Sequence, residues 1–308
     1  TGSMNAEMDL PGYRGEPPAV DKKAVEAIAR ALNKSRKPVL LVGRGAIISD
    51  AAKVVRELAE KLNAPVTTTL LGKGAFPETH RLALGMLGMH GTAYANKAVV
   101  DCDLILSIGS RFDDRIIGQP ERFCKNAMKI HIDIDPSEIG KMITPDIACI
   151  GDARLILEEL INHVGRLDTG DWLAQLDEYK KKYPLTFKKQ GGLKMQHIIQ
   201  TMCELTKGNA IGVTDVGQHQ MWAAQFFKVN HRNNWLSSGG AGTMGYGLPA
   251  AIGAQFGRPK DTVVVFSGDG GFQMTMPELA TACNHKLPIK IIVMNNHYLG
   301  MVRQWQEL

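Results

Sequence analysis

A chain of 308 residues with 44% apolar content has room for two hydrophobic cores, because domains usually hold roughly 100 to 200 residues. The formal charge of +5 is modest, and its densest basic stretch, Lys180-Lys181-Lys182 with Lys188-Lys189, lies in the least apolar region without any nucleic-acid module, which predicts a solvated face and no nucleic-acid partner. The five scattered cysteines contain no CxxC pair and argue against a disulfide framework or a zinc site, while no run approaches the ~18 apolar residues that span a bilayer, so a cytoplasmic location is expected, or an organellar one had a transit peptide been removed.

In chain order, residues 1–20 carry Pro11, Gly12, Gly15, Pro17 and Pro18 and read as an extended lead-in. A first domain over 21–165 opens with a helix capped by Asp21, whose apolar face is Val25, Ile28, Ala29 and Leu32. Pro38 to Val42 is a strand ending in Gly43-Arg44-Gly45, and the next helix carries Val54, Val55, Leu58 and Leu62. Further strands are predicted at 66–69, 104–108 and 129–134, and helices at 93–100 and 153–164. Alternation of this kind predicts an α/β, doubly wound domain with a mainly parallel sheet. Residues 166–192, charged and ending in Gly191-Gly192, read as a helical linker with a flexible end. A second α/β domain over 193–308 has helices at 194–205 and 275–284 and strands at 210–214, 262–266 and 289–294. A doubly wound sheet needs a further strand and helix after Tyr298-Leu299-Gly300-Met301, so this domain is expected to be truncated at its C-terminal side.

The strand 262–266 delivers Gly268-Asp269-Gly270 to its carboxyl end, and the strand 289–294 delivers Asn295-Asn296 to a neighbouring one. A carboxylate and an amide oxygen held side by side suit a hard, octahedral Mg²⁺ that also takes diphosphate oxygens and a water. Gly240 to Gly245 matches GxGxxG, but Asp261 precedes a strand instead of ending one and no strong strand leads into Gly240, so a dinucleotide fingerprint is disfavoured.

The GDG…NN pattern resembles the thiamine diphosphate (ThDP) motif. Val216-Gly217-Gln218-His219-Gln220-Met221-Trp222, Ser238 to Gly247 and Leu299 to Trp305 narrow the likeness to the catalytic subunits of the acetohydroxyacid (acetolactate) synthase family. The resemblance runs from about Lys37 to the last residue. It implies Mg²⁺ on Asp269, Asn296 and the carbonyl of Tyr298, and diphosphate contacts from Val216, Gly217, Gln218, His219, Gly270 and Gly271. It also implies that Gly242 accepts from the aminopyrimidine, that Met244 wedges beneath the bent cofactor, and that Met301 lines the site. The same likeness extends to flavin adenine dinucleotide (FAD), through Gly43, Gly45, Thr69, Leu70, Leu71, His90, Gly109, Arg111, Asp113, Asp133, Ile134 and Asp152. Asp114 and Arg115 would then reach the active site, with Arg115 holding the acceptor carboxylate, and Trp305 would favour 2-ketobutyrate over pyruvate. Plain alternatives remain for several of these residues: a bare βα turn at Gly43 to Gly45, structural histidines at His90 and His219, a core methionine at Met244 and surface ion pairs within Arg111 to Arg115.

For the intact enzyme the resemblance implies decarboxylation of pyruvate and ligation to a second 2-keto acid, a homodimer or higher homo-oligomer, and a possible regulatory small subunit. The family's activating glutamate has no counterpart in this chain, so the chain alone is expected to be inactive. Another flavin-containing ThDP enzyme, of the pyruvate oxidase or glyoxylate carboligase type, and a non-catalytic cofactor-binding module are the competing readings.

Overall fold

The computed structural model describes residues 18–188 and 190–307. Most of the extended lead-in, and Lys189 of the basic stretch, lie outside the described residues. Among the described residues, ten strands form two sheets. The first contains β1 (Pro38–Val42), β2 (Val66–Thr68), β3 (Ala83–Met86), β4 (Leu104–Ile108), β5 (Met128–Asp133) and β6 (Ile147–Ile150), in the spatial order β3-β2-β1-β4-β5-β6. Every pairing in it is parallel. The order reverses between β1 and β4, which leaves a crevice beyond their carboxyl ends. The second sheet contains β7 (Ile211–Thr214), β8 (Trp235–Ser237), β9 (Val263–Gly268) and β10 (Lys290–Met294), in the order β10-β9-β7-β8, again all parallel. Its reversal falls between β7 and β9. The fold is therefore α/β with two mainly parallel sheets, as the alternating pattern predicts.

Alternation along β1 divides the first core into two layers. Leu40 and Val42 pack with Val25, Ile28, Leu58 and Ile156 of the helices Lys22–Leu32, Ala52–Leu62 and Ala153–Leu160. Val39 and Leu41 face the other way, onto Ala95 and Val99 of the helix Ala93–Asp101. Side chains two apart share a face of a strand, so a parallel sheet sandwiched by helices needs apolar residues at every position. Asp21 caps the first helix by accepting from the amides of Lys23 and Ala24, satisfying donors that the helix itself leaves open.

Several elements depart from the expectations. The segment read as a helical linker does contain a helix, Gly170–Lys182, but one face of it is docked, burying Trp172 and Leu176 in the second layer of the first core. The Trp172 indole donates to the Pro38 carbonyl at 3.1 Å. One turn of apolar residues was enough to dock a helix whose remaining face is charged. The helix expected at 275–284 instead begins at Asp269, directly after β9, and runs to Thr275. Pro277 sits in a 3₁₀ turn, Met276–Glu278, and a second short helix, Leu279–Asn284, follows. Proline cannot donate to a continuing helix, which accounts for the break. The short strands β3, β6 and β8 and the helix Gly247–Gly257 were not anticipated; the helix carries Gly and Ala at many positions and has little amphipathic pattern.

No helix among the described residues is long and apolar enough to cross a membrane. Replacing Trp172 by Ala is expected to destabilise the chain by about 3 to 5 kcal/mol, the usual cost of emptying a buried aromatic site. Chemical denaturation followed by circular dichroism measures this, and a midpoint equal to that of the unaltered chain would restore the solvated-linker reading.

Candidate functional site

The carboxyl ends of β7, β9 and β10 bring together most of the residues expected around a diphosphate. Gly268 lies in register with Met294, so Asp269 and Asn296 leave adjacent parallel strands. Asp269 and Gly270 are half-buried in the first turn of their helix and Gly271 is buried. A β-carbon on Gly270 would lie 3.0 Å from a Leu299 methyl and 3.5 Å from the Met244 methyl, so Met244, Gly270 and Leu299 converge on one point. The Asn296 side-chain oxygen accepts from the Tyr298 amide at 3.2 Å, and its nitrogen approaches Gln218 Oε1 at 3.5 Å. A cavity of about 450 Å³ opens here, lined by Gln218, Asn296, Tyr298, Gly300, Arg303 and Gln304. Met301 is half-buried, whereas Tyr298 and Trp305 are exposed.

Among the described residues, no group of three or more His, Cys, Asp and Glu side chains is arranged to hold a metal. A cation at Asp269 and Asn296 would therefore have one carboxylate, one amide oxygen, main-chain carbonyls and the oxygens of its own ligand. That donor set fits Mg²⁺, which is commonly held by one or two carboxylates plus substrate phosphates.

His219 does not face open space. It is buried, and its Nε2 accepts from the Gly268 amide at 3.2 Å. Burial pushes its pKa from 6.5 down to about 4, against the pull of Asp215 and Asp269, so the ring is neutral near pH 7. Through this bond the ring ties the helix Gln218–Phe226 to the end of β9, directly before Asp269. Gly217 precedes it with φ +148°, and a β-carbon there would lie 2.9 Å from the His219 ring, so only glycine fits the turn.

The residue that sequence reasoning missed is Asp215. It is fully buried at the end of β7. Its Oδ1 accepts from the amides of Val216 at 2.8 Å and Gly245 at 3.0 Å, and its Oδ2 accepts from Gly247 at 2.8 Å. A β-carbon on Gly271 would collide with the same carboxylate. One side chain thus gathers β7, the glycine-rich turn and the helix after β9. Its position directly after an apolar strand was the available signal, but a lone aspartate carries no spacing to identify it. The strand β8 does lead into Gly240, contrary to the expectation. The dinucleotide reading still fails, because the following helix starts only at Gly247 and the amides of Gly245 and Gly247 are already taken by Asp215. Gly242 is exposed at φ +65° in the same turn, with Val216 the nearest neighbour of a β-carbon built there.

The reversal between β1 and β4 forms the second candidate site. The Gly43 amide donates to the Ile108 carbonyl at 2.9 Å and the Gly45 amide to the Gly109 carbonyl at 3.0 Å. A β-carbon at Gly43 would collide with Gly109, which itself has φ +60°, so the two loops interlock only as glycines. The buried hydroxyls of Thr68 and Ser110, at the carboxyl ends of β2 and β4, have no hydrogen-bond partner among the described residues. Orphaned donors beside a glycine cradle at a topological switch point fit a nucleotide. Asp133 ends β5 on a buried shelf; burial works to raise its pKa, but the His131 ring 3.8 Å away and the Asp135 amide, which donates to Oδ1 at 3.0 Å, hold it below the ordinary range.

Other expected flavin residues are engaged elsewhere. The Asp152 carboxylate caps the helix Ala153–Leu160, accepting from Leu155 at 3.0 Å, and Thr69 caps the 3₁₀ turn Leu70–Gly72. Leu70 packs into the second core, and Leu71 lies against Gly239. Ile134 is exposed, and His90 is half-buried, its carbonyl accepting from Gln225. Arg111 pairs with Asp113 at 2.8 Å and Arg115 with Asp114 at 3.1 Å, which is the ion-pair alternative. Trp305 is 62% exposed on the helix Gly300–Glu307.

Two expectations follow. Asp215→Asn turns an N–H against a backbone donor and should cost about 2 to 4 kcal/mol, since an unsatisfied buried group loses its full desolvation energy; urea denaturation with a change below 1 kcal/mol would contradict it. For His219 the folded pKa lies below the unfolded one, so the unfolded chain binds the proton more readily and stability falls as pH drops from about 6.5 towards 4. In His219→Gln that slope should flatten, and an unchanged slope would remove His219 as its source.

Comparison with known proteins agrees with this geometry. Residues 25–160 match the family described as "Thiamine pyrophosphate enzyme, central domain", and residues 215–308 match "Thiamine pyrophosphate enzyme, C-terminal TPP binding domain". An acetolactate synthase large subunit from Cyanidium caldarium is 48% identical over 293 residues, covering 92% of this chain and 50% of the relative. One from Lactococcus lactis is 45% identical, covering 97% of this chain and 52% of the relative. Acetolactate synthase 1, chloroplastic, of Nicotiana tabacum is 47% identical, covering 97% and 46%. The chain spans about half the length of the curated relatives it matches. With two thiamine pyrophosphate enzyme domains in succession and near-half identity to these subunits along almost its whole length, the chain belongs to the acetolactate synthase large-subunit family of thiamine pyrophosphate enzymes.

Proposed function

We propose that this chain supplies the central and diphosphate-binding domains of an acetolactate synthase, which joins the two-carbon unit of decarboxylated pyruvate to a second 2-keto acid, pyruvate or 2-ketobutyrate. The observation that carries this reading is the convergence of Asp269, Asn296, Gly270 and Met244 at the ends of β9 and β10 and in the glycine-rich turn. Asp269, Asn296 and the Tyr298 carbonyl would hold Mg²⁺, and the amides of Gly270, Gly271 and the Val216 to His219 segment would hold the diphosphate. Bound ThDP supplies the electron sink for a carbanion equivalent after loss of CO₂.

The chain's own residues bind and orient. The glycines let the main chain approach phosphate oxygens, and Met244 presents an apolar surface above Gly270. Asp215 fixes the turn that carries Gly242 and Met244. Around FAD, Gly43, Gly45 and Gly109 would cradle the diphosphate, Asp133 would hold adenosine hydroxyls, and Thr68 and Ser110 offer unpaired hydroxyls. The overlap of ion pairs with the expected substrate role of Arg115 is resolved if Arg115 releases Asp114 to take the acceptor carboxylate, a bidentate partner of equal charge. Trp305 would contribute shape selectivity worth about 1 to 3 kcal/mol per methylene. A homodimer, with a regulatory small subunit as a further partner, fits the same reading.

Calorimetric titration with ThDP provides the test. Binding should require Mg²⁺, and Asp269→Ala should weaken it by about 100-fold, the scale of losing a charged ligand of 2 to 3 kcal/mol. Metal-independent binding, or full affinity in Asp269→Ala, would overturn the assignment.

A further inference from the structure

We propose that Lys73 and Glu78 of the central domain are positioning residues for the diphosphate-binding domain, clamping the far end of the helix whose near end carries Gly217, Gln218 and His219. The side chains are 0% and 3% exposed. Lys73 Nζ donates to Glu78 Oε1 at 2.7 Å, to Glu78 Oε2 at 2.6 Å and to the Ala224 carbonyl at 2.8 Å. All three ammonium donors are thereby satisfied. Ala224 belongs to the last turn of Gln218–Phe226, where a helix leaves its carbonyls unpaired and carries partial negative charge. The ammonium also lies 5.2 Å from the ring centre of buried Trp235, at the start of β8.

Glu78 completes the clamp from the other side. Its Oε2 accepts from the Val229 amide at 2.8 Å, and its own amide donates to the Val229 carbonyl at 3.2 Å. Thr79 then bonds Asn230 through both its amide and its hydroxyl. The same segment begins with Leu71, whose side chain lies against Gly239 at the mouth of the glycine-rich turn. Segment 71–79 therefore holds both the helix that leads from β7 and the turn that leads from β8.

A buried ion pair is a poor source of net stability, since desolvation offsets most of its attraction. Its value here is geometric: it fixes one helix end at a defined point of another domain. The clamp stands on these contacts alone; its consequence for the cofactor rests on the function proposed above.

The test uses the 308-residue chain, Lys73→Met, the double variant Lys73→Met/Glu78→Leu, and Leu58→Ala as a control in the first core. Lys73→Met leaves a buried carboxylate unpaired and should lower the denaturation midpoint, whereas the double variant should recover most of that loss. Hydrogen exchange of the amides of 220–227 should nevertheless remain about tenfold faster than in the unaltered chain in both, the scale of one lost charged hydrogen bond. In Leu58→Ala those amides should not be singled out. Exchange that recovers together with stability, or rises equally in the control, would overturn the clamp. In titrations with Mg²⁺, the double variant should bind ThDP about fivefold more weakly, and unchanged affinity would overturn the positioning role. Failure of the unaltered chain to bind ThDP would instead count against the proposed function, while the exchange comparison still decides the clamp.

Discussion

A single buried carboxylate organises the second half of the molecule. Asp215 has no solvent contact, and it accepts three backbone N–H groups from two segments that are distant in sequence. The turn around Gly245 has few side chains with which to hold itself, so its shape depends on these bonds. Gly271 can approach closely because it lacks a β-carbon, which brings the helix after β9 against the same group. The consequence is that Met244, Gly270 and Leu299 meet at one point without a direct bond among them.

The two sheets solve the same geometric problem with different means. Each reverses its strand order once, and each places glycines at that reversal. In the first sheet the interlocked loops of Gly43 and Gly109 need no charged group at their centre, and two orphaned hydroxyls remain beside them. The second sheet uses a carboxylate and a neutral histidine to bind its loops together. The proposed ligands, a diphosphate with a divalent cation and an extended dinucleotide, would suit these two kinds of cradle.

Much of the candidate site was legible because strands announce themselves. The β-branched runs ending at Phe266 and Met294 marked two strands, β9 buried throughout and β10 partly exposed at the sheet edge, and their parallel register fixed where Asp269 and Asn296 emerge. The capping residue Asp21 and the apolar faces of the first helices were legible for the same reason: one residue type at one spacing has one physical solution. What sequence could not supply was tertiary. Trp172 reads as an isolated aromatic in a charged stretch until β1 offers it a carbonyl, and Asp215 reads as the end of a strand until two glycine amides arrive from thirty residues away. His219 and Asp152 match a family pattern, yet the hydrogen bonds they make are those of a loop tie and a helix cap.

The proposed function depends on a cation shared by Asp269 and Asn296. Mn²⁺ in place of Mg²⁺ makes it directly observable by electron paramagnetic resonance. The account predicts that the chain binds Mn²⁺ appreciably only when ThDP is added, and that Asp269→Asn abolishes the bound signal. A bound signal that is independent of ThDP, or one that survives Asp269→Asn, would contradict it.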